Sequence, residues 1–395
     1  MLQLADVVIV VLLLGALVAG LRAGLFSALG SLCGLVAGGI AAPWLLPLIA
    51  DAVPDREWRG IAIVGGAVLL LAGGTAIGAV IGVLVRRGAD RLRLRVAERL
   101  LGGVLGVVAA ALAISLAGSG IAAAGIPVVS SSVASSTVLR TIDRFTPEPI
   151  AEAFARLHST VLGDALLPAI DGLLDDADLS IAPRADQIDT SDPALAEAGR
   201  SVARISGVAY ACGTSSTGTG FVAAEGRVVT NAHVVAGVDT PVVELPGRPA
   251  RDGRVVYFDP VDDLAVIAVD VDAPPLRIVE PLETGAGAVV QGYPHGGPFR
   301  TVPAGIAGVG TAPIADIYGG APSERALYTL AAEIAPGNSG GPLLTESGAV
   351  AGVVFARDEV RPDVGYAMTT AELLPVLAQL DGSEEPVEPG RCIRR

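Results

Sequence analysis

The sequence predicts a multidomain chain in three parts: a four-helix transmembrane bundle over residues 1–125, a short helical and flexible linker over 126–195, and an all-β double barrel over 196–395. Three observations carry this reading. Four long apolar runs crowd the N-terminal third. One Arg-rich loop interrupts them. From about Ala194 the chain changes to short β-type runs separated by Gly, Pro and Asp, the pattern of antiparallel barrels.

Each span is close to the ~20 apolar residues that cross a bilayer as a helix. They run from about Leu4 to Leu21, Leu25 to Ala50, Gly60 to Val85 and Leu100 to Gly125. A cleavable signal peptide would instead give one short run behind a basic start. Met1–Asp6 has no basic side chain, and four runs follow. Pro43 and Pro47 predict a kinked or interfacial outer end for the second span, and Trp44 and Trp58 suit the headgroup boundary. Between the third and fourth spans lie Arg86, Arg87, Arg91, Arg93, Arg95 and Arg99, so the positive-inside rule puts this loop in the cytoplasm. The N-terminus and everything after Gly125 then face outward. Gly30, Gly34 and Gly38, Gly74, Gly78 and Gly82, and Gly102 and Gly106 recur four apart, which lets helix backbones pack closely. No span carries a midmembrane acid–base pair, so an anchor or scaffold is expected rather than a transporter.

Composition divides the same way. The chain is 51% hydrophobic with only 4% aromatic residues, and the apolar excess is N-terminal. Residues 1–125 hold 9 Arg and 6 acidic residues; residues 126–395 hold 18 Arg against 35 Asp plus Glu, a net of −17. That acidity argues against nucleic acid as a partner, because phosphates would be repelled. All 27 basic residues are arginine, which with abundant Ala, Gly and Val points to a GC-rich bacterial genome.

In the linker, Ser130–Ser136 reads as loose chain. Pro147 and Pro149 can open a helix with Ile150, Phe154, Leu157 and Val161 on one face. Ile170, Leu173 and Leu174 predict a second short helix, ending in the acidic run Asp175–Asp178. Ser180–Pro193 reads as an exposed connector. His158, beside the apolar stripe, reads as a helix-surface residue.

Three islands in the β half carry chemistry. The first, Arg227-Val228-Val229-Thr230-Asn231-Ala232-His233-Val234-Val235, follows Thr219-Gly220-Phe221-Val222 and places His233 at a strand end, held rigidly enough to act as a general base. The second, Asp259-Pro260-Val261-Asp262-Asp263-Leu264-Ala265-Val266-Ile267, offers two carboxylates. Neighbours on a strand point to opposite faces, so only one of Asp262 and Asp263 can reach the histidine. Asp263, adjacent to the apolar run, is the choice, with Asp262 facing solvent. The third, Pro336-Gly337-Asn338-Ser339-Gly340-Gly341-Pro342-Leu343, surrounds a serine with the glycines of a tight turn. Its Ser339 is the candidate nucleophile, and the amides of Gly337 and Ser339 are the candidate oxyanion hole. The order His, Asp, Ser, with gaps of 30 and 76 residues, is what makes each island more than a loop. No metal or cofactor is expected.

The islands VVTNAHVV, DDLAVI and PGNSGGPL resemble the HtrA/Deg branch of trypsin-like proteases, and the four-span region is similar to the colicin V production (CvpA) family. Together they resemble the MarP-type family of actinobacterial membrane serine proteases over essentially the whole chain. The resemblance implies a chymotrypsin-like pair of β-barrels with His233 and Asp263 from the first and Ser339 from the second. It also implies cleavage of cell-envelope proteins, self-cleavage in the linker, and a role in acid or oxidative stress. Localisation would be the cell membrane, multi-pass, with the protease on the outer side. With 56 residues after Ser339, no PDZ domain is expected there.

Cys33 falls inside the second span and reads as a packing residue. Cys212 and Cys392 lie on the outer side, where disulfides persist. A Cys212–Cys392 bond is predicted and the resemblance supports it, with two free thiols as the alternative. Glu333, six residues before Ser339, stands where trypsin-like enzymes often place the base of the primary specificity pocket; the alternative is a surface carboxylate. His295 is expected in a loop bordering the cleft. Two other readings compete: a scaffold whose protease-like domain only binds proteins, and a transporter with a soluble cap.

Overall fold

The structure is a computed structural model of the 395-residue chain, describing residues 4–52, 56–89, 95–123, 132–133, 136–147, 149–153, 155–156, 168–170, 179–209, 214–379 and 385–393. The chain forms two compact units, residues 1–122 with 132–161, and residues 123–131 with 162–395.

The first unit is helical. Its long helices are α1 (Leu4–Ala23), α2 (Leu25–Ala52), α3 (Arg56–Ala89) and α4 (Arg95–Ala123). Asp6 in the first turn of α1 and Arg22 in its last complement the helix dipole. Gly24, at φ +83°, breaks the chain between α1 and α2, as a left-handed C-terminal residue does. α2 continues through Pro43 and Pro47. Ala5–Ala23 and Glu98–Ser115 are long and apolar enough to cross a membrane, and Leu25–Gly39 and Leu69–Val85 are shorter apolar stretches among the described residues.

The glycine spacing has a direct structural consequence. A Cβ on Gly30, Gly34, Gly74 or Gly78 would collide with a carbonyl oxygen of the facing helix: Gly30 with Gly78 and Gly34 with Gly74, reciprocally. Gly20 and Gly102 bring α1 and α4 together in the same manner. Because the obstacle is backbone, it cannot swing aside. Gly78→Val is therefore expected to destabilise this unit by ~2–3 kcal/mol, whereas Gly73→Val, with nothing near its Cβ, should be close to neutral. Thermal unfolding of the full chain in detergent checks this; equal melting temperatures would refute the packing.

Ser136, expected in loose chain, is fully buried. It caps the helix Thr137–Phe145, accepting from Leu139 N at 3.1 Å and donating to Asp6 Oδ1 at 2.7 Å. Val138 N also donates to Asp6, at 3.1 Å. Phe154, Leu157, His158 and Val161 lie outside the described residues.

The second unit is built on two seven-stranded sheets. One comprises β2 (Val202–Ala209), β3 (Thr214–Ala224), β4 (Arg227–Thr230), β5 (Val242–Glu244), β6 (Arg251–Asp252), β7 (Arg254–Asp259) and β8 (Leu264–Ala268), in the order β6-β5-β2-β3-β4-β8-β7, all antiparallel. The other comprises β1 (Ala169–Ile170), β9 (Gly287–Gly292), β10 (Arg300–Ile314), β11 (Ser323–Ala331), β12 (Pro342–Thr345), β13 (Val350–Asp358) and β14 (Val364–Thr369). Its order is β1-β13-β12-β9-β10-β11-β14, and β13 also pairs with β14, which closes six strands into a ring. Each sheet curls around its own core: Ile205, Val228, Val243 and Ile267 in the first, and Val290, Ile306, Tyr328 and Val354 in the second. A third cluster, with Phe221, Val266, Leu327, Val353 and Tyr366, draws on both sheets and holds them together.

The segment ahead of the sheets differs from the sequence reading. Ala169–Ile170 is not helical; it pairs parallel with Arg357–Asp358 as β1, while Leu173, Leu174 and Asp175–Asp178 lie outside the described residues. Ser180–Pro193 is not simply an exposed connector either. Ala182 packs at Gly305 of β10, and Ile188 joins the shared core. Two isolated apolar residues in polar chain have no periodicity to signal burial.

Candidate active site

His233 does not end a strand. After β4, Asn231 caps a single helical turn, Ala232–Val235, and His233 sits inside it with only 2% of its surface exposed. Its Nδ1 lies 2.7 Å from Asp263 Oδ2, and its backbone amide donates to Asp263 Oδ1 at 2.9 Å. One carboxylate thus holds both ring and main chain. Asn231 Nδ2 donates to the Asp263 carbonyl at 2.8 Å, tying the two segments a second time.

Asp263, 2% exposed, is the carboxylate against His233, but not through strand alternation. It ends the turn between β7 and β8 with φ +54°, a left-handed conformation that Asp tolerates better than most residues. Asp259 organises that turn, accepting from Val261 N at 2.8 Å and Asp262 N at 3.1 Å. Asp262 is half-buried rather than solvent-facing. Burial, then Asp259 and Glu372, hold its carboxyl above the usual carboxylate range, with Arg325 opposing.

Ser339 lies in the turn ahead of β12, 2% exposed. Gly340, at φ +78°, lets this turn press against the histidine segment: a Cβ there would collide with the Thr219 carbonyl and Thr230 Oγ1 and crowd Asn231 N. Gly218 makes the matching approach from β3, with Val234 on one side and the Ser339 carbonyl on the other. Those two glycines bring the His233 and Ser339 segments together. His233 Nε2 and Ser339 Oγ are both buried, and neither has a hydrogen-bond partner among the described residues. The amides of Gly337 and Ser339 have no acceptor among the described residues, whereas those of Asn338, Gly340 and Gly341 are bonded to Ala335, Val354 and Asn338.

Thr219, just ahead of the first island, and Asn231 within it carry roles that residue order does not signal. Fully buried, Thr219 donates from Oγ1 to the Gly337 carbonyl at 2.6 Å, accepts from Tyr293 N at 3.0 Å, and gives its own amide to the Ser339 carbonyl at 2.8 Å. It pins both candidate oxyanion donors. Nothing in a lone strand threonine signals this. His295 is in the neighbouring loop, half-buried, at φ +56°, its amide donating to Pro336. Glu333 is exposed, between buried Ala332 and Ile334, as a surface carboxylate would be.

The C-terminal tail straps the histidine segment. Gly237 N donates to Pro389 O and Val387 N to Val255 O, each at 2.9 Å, and Arg391 stacks over Tyr318 at 4.6 Å. Cys392 is disulfide-bonded and Cys33 is free; Cys212 lies outside the described residues. Cys392 Sγ abuts Gly237, four residues after His233.

Comparison with known proteins places both units. Residues 218–353 match the trypsin-like peptidase domain family, and residues 5–147 match the colicin V production protein family. Serine protease Rv3671c of Mycobacterium tuberculosis is 35% identical over 270 residues, covering 68% of this chain and 67% of the relative. A probable periplasmic DegP-like serine endoprotease of Hahella chejuensis is 33% identical over 174 residues, 42% of this chain and 35% of its own. The crystal structure of the Rv3671c protease in its active form, 36% identical, superposes with a TM-score of 0.50 over 58% of this chain and 96% of that one. The chain is a serine endopeptidase and belongs to the trypsin-like family of Rv3671c, with a colicin V production-type helical region ahead of an all-β protease domain.

Proposed function

We propose that the chain is a membrane-anchored, extracytoplasmic serine endopeptidase working through His233, Asp263 and Ser339. The observation that carries this is the 2.7 Å His233–Asp263 contact, together with a buried Nε2 and a buried Ser339 hydroxyl that are both unpaired among the described residues. Asp263 holds the Nδ1 proton and so leaves Nε2 as the acceptor. Ser339 Oγ attacks the scissile carbonyl while Nε2 takes its proton. The imidazolium, stabilised by Asp263, then returns the proton to the leaving amine, and water hydrolyses the acyl-enzyme by the same route. The free amides of Gly337 and Ser339 receive the oxyanion.

The four apolar helices are read as four spans, with the Arg-rich loop inside and the protease outside. Substrates are cell-envelope proteins and the linker itself, and the service is in acid or oxidative stress. The partner of Cys392 is Cys212.

A fluorophosphonate probe on the full chain in detergent, followed by peptide mapping, tests the nucleophile. Modification at Ser339 is expected; labelling at any other serine would end the reading. Gly337→Ala tests the oxyanion hole. At φ +94° its new Cβ would strike the Tyr293 carbonyl and the His295 amide, backbone that cannot swing aside, and rotate the turn, so kcat per folded molecule should fall about 10²–10³-fold and the melting temperature should fall with it. An unchanged kcat would remove Gly337 from the hole.

A further inference from the structure

Arg325 lies in β11, and among the described residues it is the bulkiest fully buried side chain, 1% exposed. Its Nη2 donates to the Ala315 carbonyl at 3.0 Å, and its buried Nε has no partner among the described residues. One neutral carbonyl is poor compensation for a buried guanidinium, which needs opposite charge nearby.

That charge comes from two elements. The β7–β8 turn brings Asp259, Asp262 and Asp263. The helix Thr370–Ala378 brings Glu372, whose Oε1 accepts from Ala326 N at 2.7 Å, next to Arg325 in the chain. Burial lowers the pKa of Arg325, and these carboxylates, Asp263 foremost, oppose the shift. A backbone bond joins the same two regions: Ile317 N, two residues after Ala315, donates to Pro260 O at 3.0 Å within the turn. Among the described residues, the other charged or titratable neighbours are Asp316 on that loop, Arg391 of the tail beyond it, Tyr257 against Asp259, and His233 across Asp263.

We propose that Arg325 is a positioning residue of this protease: from the opposite sheet it anchors the turn that presents Asp263 and sets the electrostatic cost of forming the His233 imidazolium. The proposal rests on the triad reading. A cation behind Asp263 disfavours a second positive charge on His233, and the carboxylate of Asp262 favours it. Removing Arg325 therefore makes the imidazolium easier to form, and the base is lost at higher pH. Removing the Asp262 charge does the reverse.

The test is the pH dependence of kcat/KM for a fluorogenic peptide, measured on the full chain in detergent. In Arg325→Met the acidic limb is expected to move up by about half a unit to one unit, a loss of up to about tenfold on that limb. Arg325→Lys, keeping the charge, should return the limb to the wild-type position. Asp262→Asn should move it to lower pH. A purely structural role would lower the amplitude and leave the limb in place, because a fraction of inactive molecules does not change where the active ones titrate. Limbs at the wild-type pH in Arg325→Met and Asp262→Asn overturn the proposal. If Arg325→Met does not fold, Asp262→Asn decides alone. Ser339→Ala, run in parallel, separates the two readings: hydrolysis persisting there sinks the triad and this proposal with it, while abolished hydrolysis with unmoved limbs sinks only the role of Arg325.

Discussion

Replacing Ser339 by alanine is expected to lower kcat on the order of 10⁶-fold without unfolding the protein. The size follows from the way a triad works as a unit: without the nucleophile, histidine and aspartate have nothing to activate, and only the oxyanion hole and substrate binding remain. The stability side follows from this structure. Ser339 Oγ is buried and makes no hydrogen bond, so its removal leaves no donor or acceptor stranded. Turnover of a fluorogenic peptide and the melting temperature, both on the full chain, check the two halves. Appreciable hydrolysis by a well-folded variant would assign the chemistry elsewhere.

Asp263→Asn should cost about 10⁴-fold in kcat, the next largest effect. Asparagine tolerates the left-handed backbone at φ +54°, and its carbonyl oxygen can still accept from the His233 amide. Its NH₂ group, however, can face Nδ1 only as a donor. The proton is forced onto Nε2, and the base can no longer take one from Ser339. Alanine would be a poorer probe, since it strains the backbone and frees the His233 amide as well. Asp262→Asn, measured above the acidic limb, should stay within a few-fold of wild type. If the two substitutions cost equally, the orienting role does not belong to Asp263.

Much of this arrangement could be read from residue order. The glycine ladders of α2 and α3, the acidic β half and the three islands are local patterns, and local patterns survive in a one-dimensional string. Strand alternation leaves room for only one of Asp262 and Asp263, and adjacency to the apolar run favours Asp263. The structure pairs Asp263 with His233 for another reason, a left-handed residue at the end of a turn. What could not be read are contacts made by single residues at a distance. Thr219 reaches Gly337, 118 residues away, and Ser136 reaches Asp6 across 130. Arg325 looks like any surface arginine in an amphipathic strand until the opposing turn covers it. Ala169–Ile170 carries the apolar residues of a short helix, yet an available strand edge outweighs that weak local preference.

That two-residue strand closes one border of the second sheet. The amides of Arg357 and Glu359 are satisfied by the carbonyls of Pro168 and Ile170, so this edge of β13 is already sealed from within the chain. A cut after Ile170 would bare two donors on the rim of the ring and invite a foreign strand to pair there. One made before Pro168 leaves the seal in place. Pro168–Ile170 therefore belong to the sheet unit, and a fragment that keeps this border closed has to retain them.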